Sequence, residues 1–388
     1  MPERDQKFDT KAIFGISTGH FIHDSYTGFF APMLPLLIEK FGLSLAIAGS
    51  LTFFLQVPSL LNPLIGYLDD RFNLKYGLIL APAVTGTLMS ILGILPDVLS
   101  LCFILLIAGF SVAVFHATAP PIVGRVSGNF IGRGMSIFMA GGELGRTVGP
   151  LLFISAISIW TIEDLYRIAA FGWLISAVLL TQMKRVRRSE SPPLGLLSLL
   201  SAANRLILPV FIILIGRSFL ISSITVFLPT LMVREGATLM LAAGALSVYE
   251  LAGVVGALTS GTLSDRYGRR LLLFIGLTAS SILIMLLAYA PGWLLVPTLL
   301  LLGFSTLSCQ PVMLAVIQDQ IPGHRAMANG FYLAMSFVMR PAAAVIIGFI
   351  GDWLSLRSSF LITALIVLAT IPAIRWLPER NPQISQIE

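Results

Sequence analysis

Charge is scarce in this chain. Only 11% of its 388 residues are Asp, Glu, Lys or Arg, against roughly 25% in an ordinary soluble domain. So little charge cannot cover a globular surface. Cysteine is scarcer still. Cys102 and Cys309 both fall inside apolar runs and lack metal-ligand spacing, so they read as packed helix residues rather than a disulfide or a site. Alternating strands of ~10 residues, the mark of a membrane barrel, do not appear. Nor does a Gly-rich phosphate loop or an ATP-binding segment, so any energy used must come from an ion gradient. A cleavable signal peptide is not expected, because Met1–Lys11 is polar and mixed in charge and the apolar run after it continues to about Ile38.

What the chain has in abundance is apolar length. Hydrophobic residues make up 56% of it, and the mean hydropathy is +0.90. A membrane-spanning helix takes about 20 apolar residues, so at ~30 residues per span and loop the chain holds about twelve. The runs fall at 12–38, 45–68, 76–96, 98–124, 134–160, 165–183, 206–233, 239–263, 271–290, 293–318, 326–350 and 357–376. The expected fold class is an all-α integral membrane protein. Residues 1–183 form an N-terminal six-helix bundle, 184–205 a cytoplasmic linker, and 206–388 a C-terminal six-helix bundle. The linker carries Lys184, Arg185, Arg187, Arg188 and Pro192-Pro193.

Basic residues set the orientation. If both termini are cytoplasmic, 18 of the 25 Lys and Arg lie on that side. Four (Lys40, Arg167, Arg234, Arg357) lie outside, and three (Arg146, Arg217, Arg340) lie within spans. Short loops rich in Lys and Arg stay inside, so a multi-pass protein of the cell inner (cytoplasmic) membrane with both termini cytoplasmic is expected. The net charge of +6 is then a topology signal, and no nucleic-acid partner follows from it.

An internal repeat runs through the chain. Leu34-Pro35 and Gly42 recur as Leu228-Pro229 and Gly236, an offset of 194, and Gly109-Phe110-Ser111 recurs as Gly303-Phe304-Ser305 at the same offset. Gly66 to Arg71 recurs as Gly261 to Arg266, at 195. Each half holds an even number of helices, so the halves share one membrane orientation. Parallel repeats of this kind place a substrate site near the midplane.

The segment Gly261-Thr262-Leu263-Ser264-Asp265-Arg266-Tyr267-Gly268-Arg269-Arg270 resembles the signature loop of the major facilitator superfamily. Its first-half copy keeps Gly66, Asp70 and Arg71 but has Asn73 where glycine is usual. The resemblance implies the major facilitator fold, about twelve transmembrane helices in two parallel six-helix repeats. It also implies gating by Gly66, Asp70, Arg71, Gly261, Asp265, Arg266, Gly268 and Arg269. In physical terms the first glycine of each loop lets helices approach closely, and the Asp pairs with Arg from a neighbouring segment.

Over most of its length the chain resembles the fosmidomycin-resistance group of facilitators, described as drug exporters driven by proton exchange. The carrying segments are Gly19–Asp24 with Pro32–Leu37, Gly49–Phe54, Ser111–His116, and Gly141–Gly145 running to Gly149-Pro150. The chain departs from the group at His116-Ala117-Thr118, where His-Pro-Glu is usual, and at Glu143, where Asn is usual. Gly141, Gly145, Gly149 and Pro150 form a helix-packing face, since glycines every four residues allow tight backbone contact. The same pattern looks like the helix-5 motif associated with antiporters.

Ionisable groups at membrane depth are costly and mark pathways. Four polar pairs obey the offset of 194: His23 with Arg217, Gln56 with Glu250, His116 with Gln310, and Arg146 with Arg340. Arg binds carboxylate or phosphate in a fork, so substrate binding is expected at His23, His116, Arg146, Arg217, Gln310 and Arg340. Carboxyls in a low-dielectric space suit proton carriage, which falls to Asp24, Glu143 and Glu250. A salt-bridge lattice without proton transfer is the alternative. His20, His23 and Asp24 share one helical face and would suit a metal, but no cysteine or further histidine lies near them in sequence, so no metal is expected. No cofactor and no enzymatic activity are expected either.

The function these residues support is secondary active transport of a small organic anion or amphipathic drug, by alternating access and with proton-coupled export. Proton-coupled uptake by symport, and a receptor or sensor on the same fold, stay open. The partners are a small, anionic molecule, protons and the lipid bilayer, and the expected working unit is a monomer.

Overall fold

The computed structural model describes residues 8–72, 74–128, 130–183, 196–289, 292–320 and 325–378. The basic and Pro-Pro stretch of the expected linker, 184–195, lies outside them. Among the described residues every regular element is helical, as an apolar chain requires where lipid offers its backbone no hydrogen-bond partner.

The first half comprises α1 (Thr10–Thr27), α2 (Phe30–Phe41), α3 (Leu45–Gln56), α4 (Asn62–Phe72), α5 (Lys75–Ser90), α6 (Val98–Val126), α7 (Ile131–Ile159) and α8 (Ala169–Gln182). The second comprises α9 (Leu196–Ser222), α10 (Leu228–Arg234), α11 (Leu239–Tyr267), α12 (Arg269–Tyr289), α13 (Gly292–Gln320), α14 (Arg325–Trp353) and α15 (Leu356–Thr370). Eleven described segments are long and apolar enough to cross a membrane. The expected first span, 12–38, is not among them. It is split into α1 and α2 at Gly28-Phe29, because Pro32 has no N–H to give the carbonyl of residue 28. His20, His23 and Asp24 also lower the hydropathy of α1. At the repeat-related place Pro229 follows a π-helical turn, Ser223–Phe227, between α9 and α10.

The chain forms two compact units. Of the described residues, the first takes those within 1–42, 51–193 and 237–247, and the second those within 43–50, 194–236 and 248–388. In the first unit α1 lies chiefly on α7, while α5 packs on α6 and α8. Its core gathers Ile13, Ile16, Leu78, Phe115, Ile122, Phe138 and Leu179. In the second unit α12 packs on α13 and α15, and α9 on α14 and α15.

The repeat is visible inside each unit as repeated packing. Gly42 and Gly236 end their helices with φ of +62° and +90°, a left-handed turn that favours glycine. Thr85 Oγ1 donates to Ser111 Oγ at 2.8 Å in the first unit, and Ser280 Oγ lies 2.9 Å from Ser305 Oγ in the second. A Cβ on Gly109 would strike the Leu55 carbonyl oxygen, and one on Gly303 that of Tyr249. Residues 55 and 249 are themselves 194 apart.

Candidate functional site

The first unit holds a compact polar cluster on α1, α6 and α7. Asp24 is its centre and is 2% exposed. Its carboxylate lies 3.0 Å from His23 Nδ1, 3.4 Å from His20 Nε2, 3.7 Å from His116 Nε2 and 3.0 Å from Arg146 Nη1. Arg146 also reaches Glu143, with Nη2 2.5 Å from Oε1. The guanidinium therefore bridges two carboxylates, one a turn away on its own helix and one on α1. A fork of donors in a fixed plane suits this double engagement.

The glycine stripe of α7 makes the cluster possible. A Cβ at Gly141, Gly145 or Gly149 would collide with the main-chain oxygens of Ser17, Phe21 and Ser25, one face of α1. At Gly142 it would collide with the His20 imidazole. Only because these side chains are absent do α1 and α7 approach closely enough for Asp24 to meet Arg146. Aromatic rings complete the wall: His20 stacks on Phe138 at 4.1 Å and His23 on Phe115 at 4.3 Å between centroids. His20 Nδ1 donates to the Phe138 carbonyl at 2.8 Å, and His116 Nδ1 to the Val112 carbonyl at 3.0 Å. A carbonyl can only accept, so both Nδ1 atoms carry the hydrogen.

The second unit holds a sparser cluster. Arg217 on α9 is 2% exposed and donates through Nη1 to the hydroxyl of Tyr332 on α14. Its Nε and Nη2 are buried without a hydrogen-bond partner. Tyr249, fully buried on α11, lies within electrostatic reach of Glu250, Arg217 and Arg340. Ser222 Oγ donates to the Arg340 carbonyl at 2.9 Å. Gln310 is half-buried on α13, next to the buried Cys309.

The signature loops are partly described. Asp265 pairs with Arg269 at 3.2 Å, and Arg269 also donates to Ser264 Oγ at 3.1 Å. This ties the end of α11 to the start of α12. Gly268 between them has φ of +94°, which a side chain would strain. No described heavy atom beyond the backbone of its own helix comes within 4 Å of a Cβ built on Gly66 or Gly261; the need for glycine at Gly268 is one of backbone angle. Arg266 lies over the ring of Tyr267, 5.4 Å from its centroid. The side chains of Asp70 and Arg71 lie outside the described residues. Beside them Asp69, which the sequence did not single out, is buried and accepts the Leu74 N–H at 2.6 Å. Tyr332 belongs to the second cluster, and His20, which the sequence names beside His23 and Asp24, belongs to the first.

A helical chain with eleven candidate spans among its described residues and ionisable clusters inside its helices has the build of a polytopic membrane transporter. The model of the Major Facilitator Superfamily matches residues 16–261 and 211–388, and the chain belongs to that family; it is a transporter, not an enzyme. The Fosmidomycin resistance protein of Escherichia coli (strain K12) is 26% identical over 379 residues, 94% of this chain and 92% of the relative. The Enterobactin exporter EntS of Citrobacter koseri (strain ATCC BAA-895 / CDC 4225-83 / SGSC4696) is 26% identical over 328 residues, 80% of this chain and 76% of the relative. Among solved structures, a bacterial homolog of the human lysosomal transporter Spinster matches with a TM-score of 0.77 at 14% identity, covering 94% of this chain and 97% of that one. The nucleoside transporter NupG matches with a TM-score of 0.75 at 16% identity, covering 94% and 98%. The likeness to these two structures is one of fold.

Proposed function

We propose that the chain exports a small organic anion or an anionic amphipathic drug across the inner membrane by alternating access, driven by proton exchange. The observation that carries the substrate's charge is Arg217. A buried guanidinium with two nitrogens unpartnered is costly, and an anionic ligand supplies what it lacks. Arg340, repeat-related to Arg146, and Gln310 extend the same ligand set. In the first unit Arg146 already serves Asp24 and Glu143, so Arg217 in the second unit is the cation that would hold the anion. The names of the resistance and exporter relatives support the outward direction. Glu250, buried beside Tyr249, is the assigned proton carrier of the second unit, and Glu143 that of the first.

Flux in proteoliposomes, with and without a pH gradient, tests the proposal. Arg217→Lys and Arg340→Ala should each weaken binding of an anionic substrate about ten-fold or more, the worth of a charge-assisted hydrogen bond. Glu250→Gln should keep binding and lose the response to the gradient. Anion flux indifferent to both arginines, or a Glu250→Gln protein with full proton dependence, would remove these roles while leaving the family intact.

A further inference from the structure

We propose that His20, Asp24 and His116 form a binding site for one divalent first-row transition-metal ion inside the first unit. In sequence, no ligand from outside α1 stands near His20 and Asp24. The fold supplies one from α6, where His116 lies 92 residues beyond Asp24 in the chain with its Nε2 3.7 Å from the carboxylate. One ligand atom from each of the three residues falls within a mutual distance of 4.8 Å. Ligand atoms held ~2.0–2.1 Å from a tetrahedral ion stand ~3.3–3.5 Å apart; His20 Nε2 lies 3.4 Å from Asp24 Oδ2 and His116 Nε2 3.7 Å from Asp24 Oδ1, so both imidazoles would draw in from the 4.8 Å set by about an ångström to share one ion.

Two further observations point to an ion rather than to a simple hydrogen-bond network. First, the Nδ1 atoms of both histidines donate to main-chain carbonyls. That is the outer-shell arrangement that fixes a ligating imidazole, aiming the Nε2 lone pair at the metal and making it more basic. Second, His20 Nε2 is buried, and the group that faces it is the Asp24 carboxylate, with Oδ2 3.4 Å away. With the Nδ1 hydrogen given to the Phe138 carbonyl, a lone pair at Nε2 would meet only that carboxylate oxygen, itself an acceptor. An ion satisfies it, and the ring's stacking on Phe138 and the absence of a side chain at Gly142 hold it in place.

Two imidazoles and one carboxylate select Zn2+, Co2+, Ni2+ or Fe2+ over Mg2+ and Ca2+, which prefer all-oxygen shells. His116 is 32% exposed, so the site is open on that side, and a water or an anionic oxygen would complete the shell there. Arg146 counts against the ion. Its guanidinium sits 3.0 Å from Asp24 Oδ2 and competes with the metal for the carboxylate. The site is accordingly one of modest affinity, tuned down by Arg146.

The test uses the full-length, untagged protein in detergent after removal of metal by chelator. Titration with Co2+ should give visible d–d absorption saturating at one ion per chain, displaced by Zn2+ and untouched by Mg2+. His116→Ala should weaken Co2+ binding by at least about ten-fold, as loss of even an outer-shell partner does. Arg146→Gln should strengthen it by roughly ten-fold, as removing a unit charge near a divalent ion does. Circular dichroism confirms that each variant stays helical. Absence of saturable Co2+ binding in both the parent and Arg146→Gln overturns the site. So does binding that a helical His116→Ala protein retains in full. Neither result depends on which anion is carried or in which direction.

Discussion

Arg146 shows how one side chain can serve groups that the chain keeps far apart. Its partner Glu143 is three residues away and visible in the sequence as a helical i, i+3 pair. Its partner Asp24 is 122 residues away, and only the α1–α7 contact brings it near. Asp24 is buried while Arg146 is 39% exposed, so the pair is half-wet and worth less than a fully buried bridge. Asp24→Ala should therefore cost about 2–3 kcal/mol, at or below the low end of the range for breaking a buried pair. The loss arises mainly because Arg146 and His23 lose their common acceptor. Thermal unfolding in detergent reads the effect, and a shift within error of the parent would show that the cluster does not stabilise the bundle. Gly145→Leu attacks the same contact from the other side. Its side chain meets the Phe21 carbonyl, which cannot move without shifting α1, so it should lower the midpoint further than Asp24→Ala does.

At the scale of elements, the start of α3 belongs with the second unit and is tied to α14. The Asp352 carboxylate accepts from the Leu45 N–H at 2.7 Å and the Ala46 N–H at 2.8 Å. It satisfies two of the four amides that a helix start leaves unpaired and sets a negative charge at the positive end of the α3 dipole. Gly49 and Gly348 let the two backbones meet, since a Cβ at either would strike the carbonyl of Ala344 or Leu45. Asp352→Ala should cost about 1–2 kcal/mol, the worth of a lost cap, and Asp352→Asn about half of that because one acceptor remains. Equal midpoints for Asp352→Ala and the parent in a thermal scan would show that the cap adds nothing. The sequence shows Asp352 as a lone acid near a helix end and gives no sign of a partner some 300 residues earlier. Caps supplied across the fold have no local pattern to read.

For the molecule as a whole, the distribution of Lys and Arg makes a testable statement about orientation. A green-fluorescent fusion after Glu388 should fluoresce and a phosphatase fusion there should be inactive, while a phosphatase inserted beside Arg234 should be active. The reverse pattern would invert the proposed topology. The sequence by itself determined the membrane class, the two-fold repeat and the family. Each of these rests on composition, run length or a constant offset, properties that survive without knowing which residues touch. Positions such as Gly42, Gly236 and Gly109 were legible for the same reason, because the repeat prints them twice. Which charged groups meet was decided only by the tertiary structure. Asp24 gathers His20, His23, His116 and Arg146 because three helices cross at one depth, and depth and rotation are set by packing against neighbours rather than by any run of residues. The signature loop marks Gly268 in the sequence, but its backbone angle of +94° arises only in the fold, because the turn that joins the end of α11 to the start of α12 requires it.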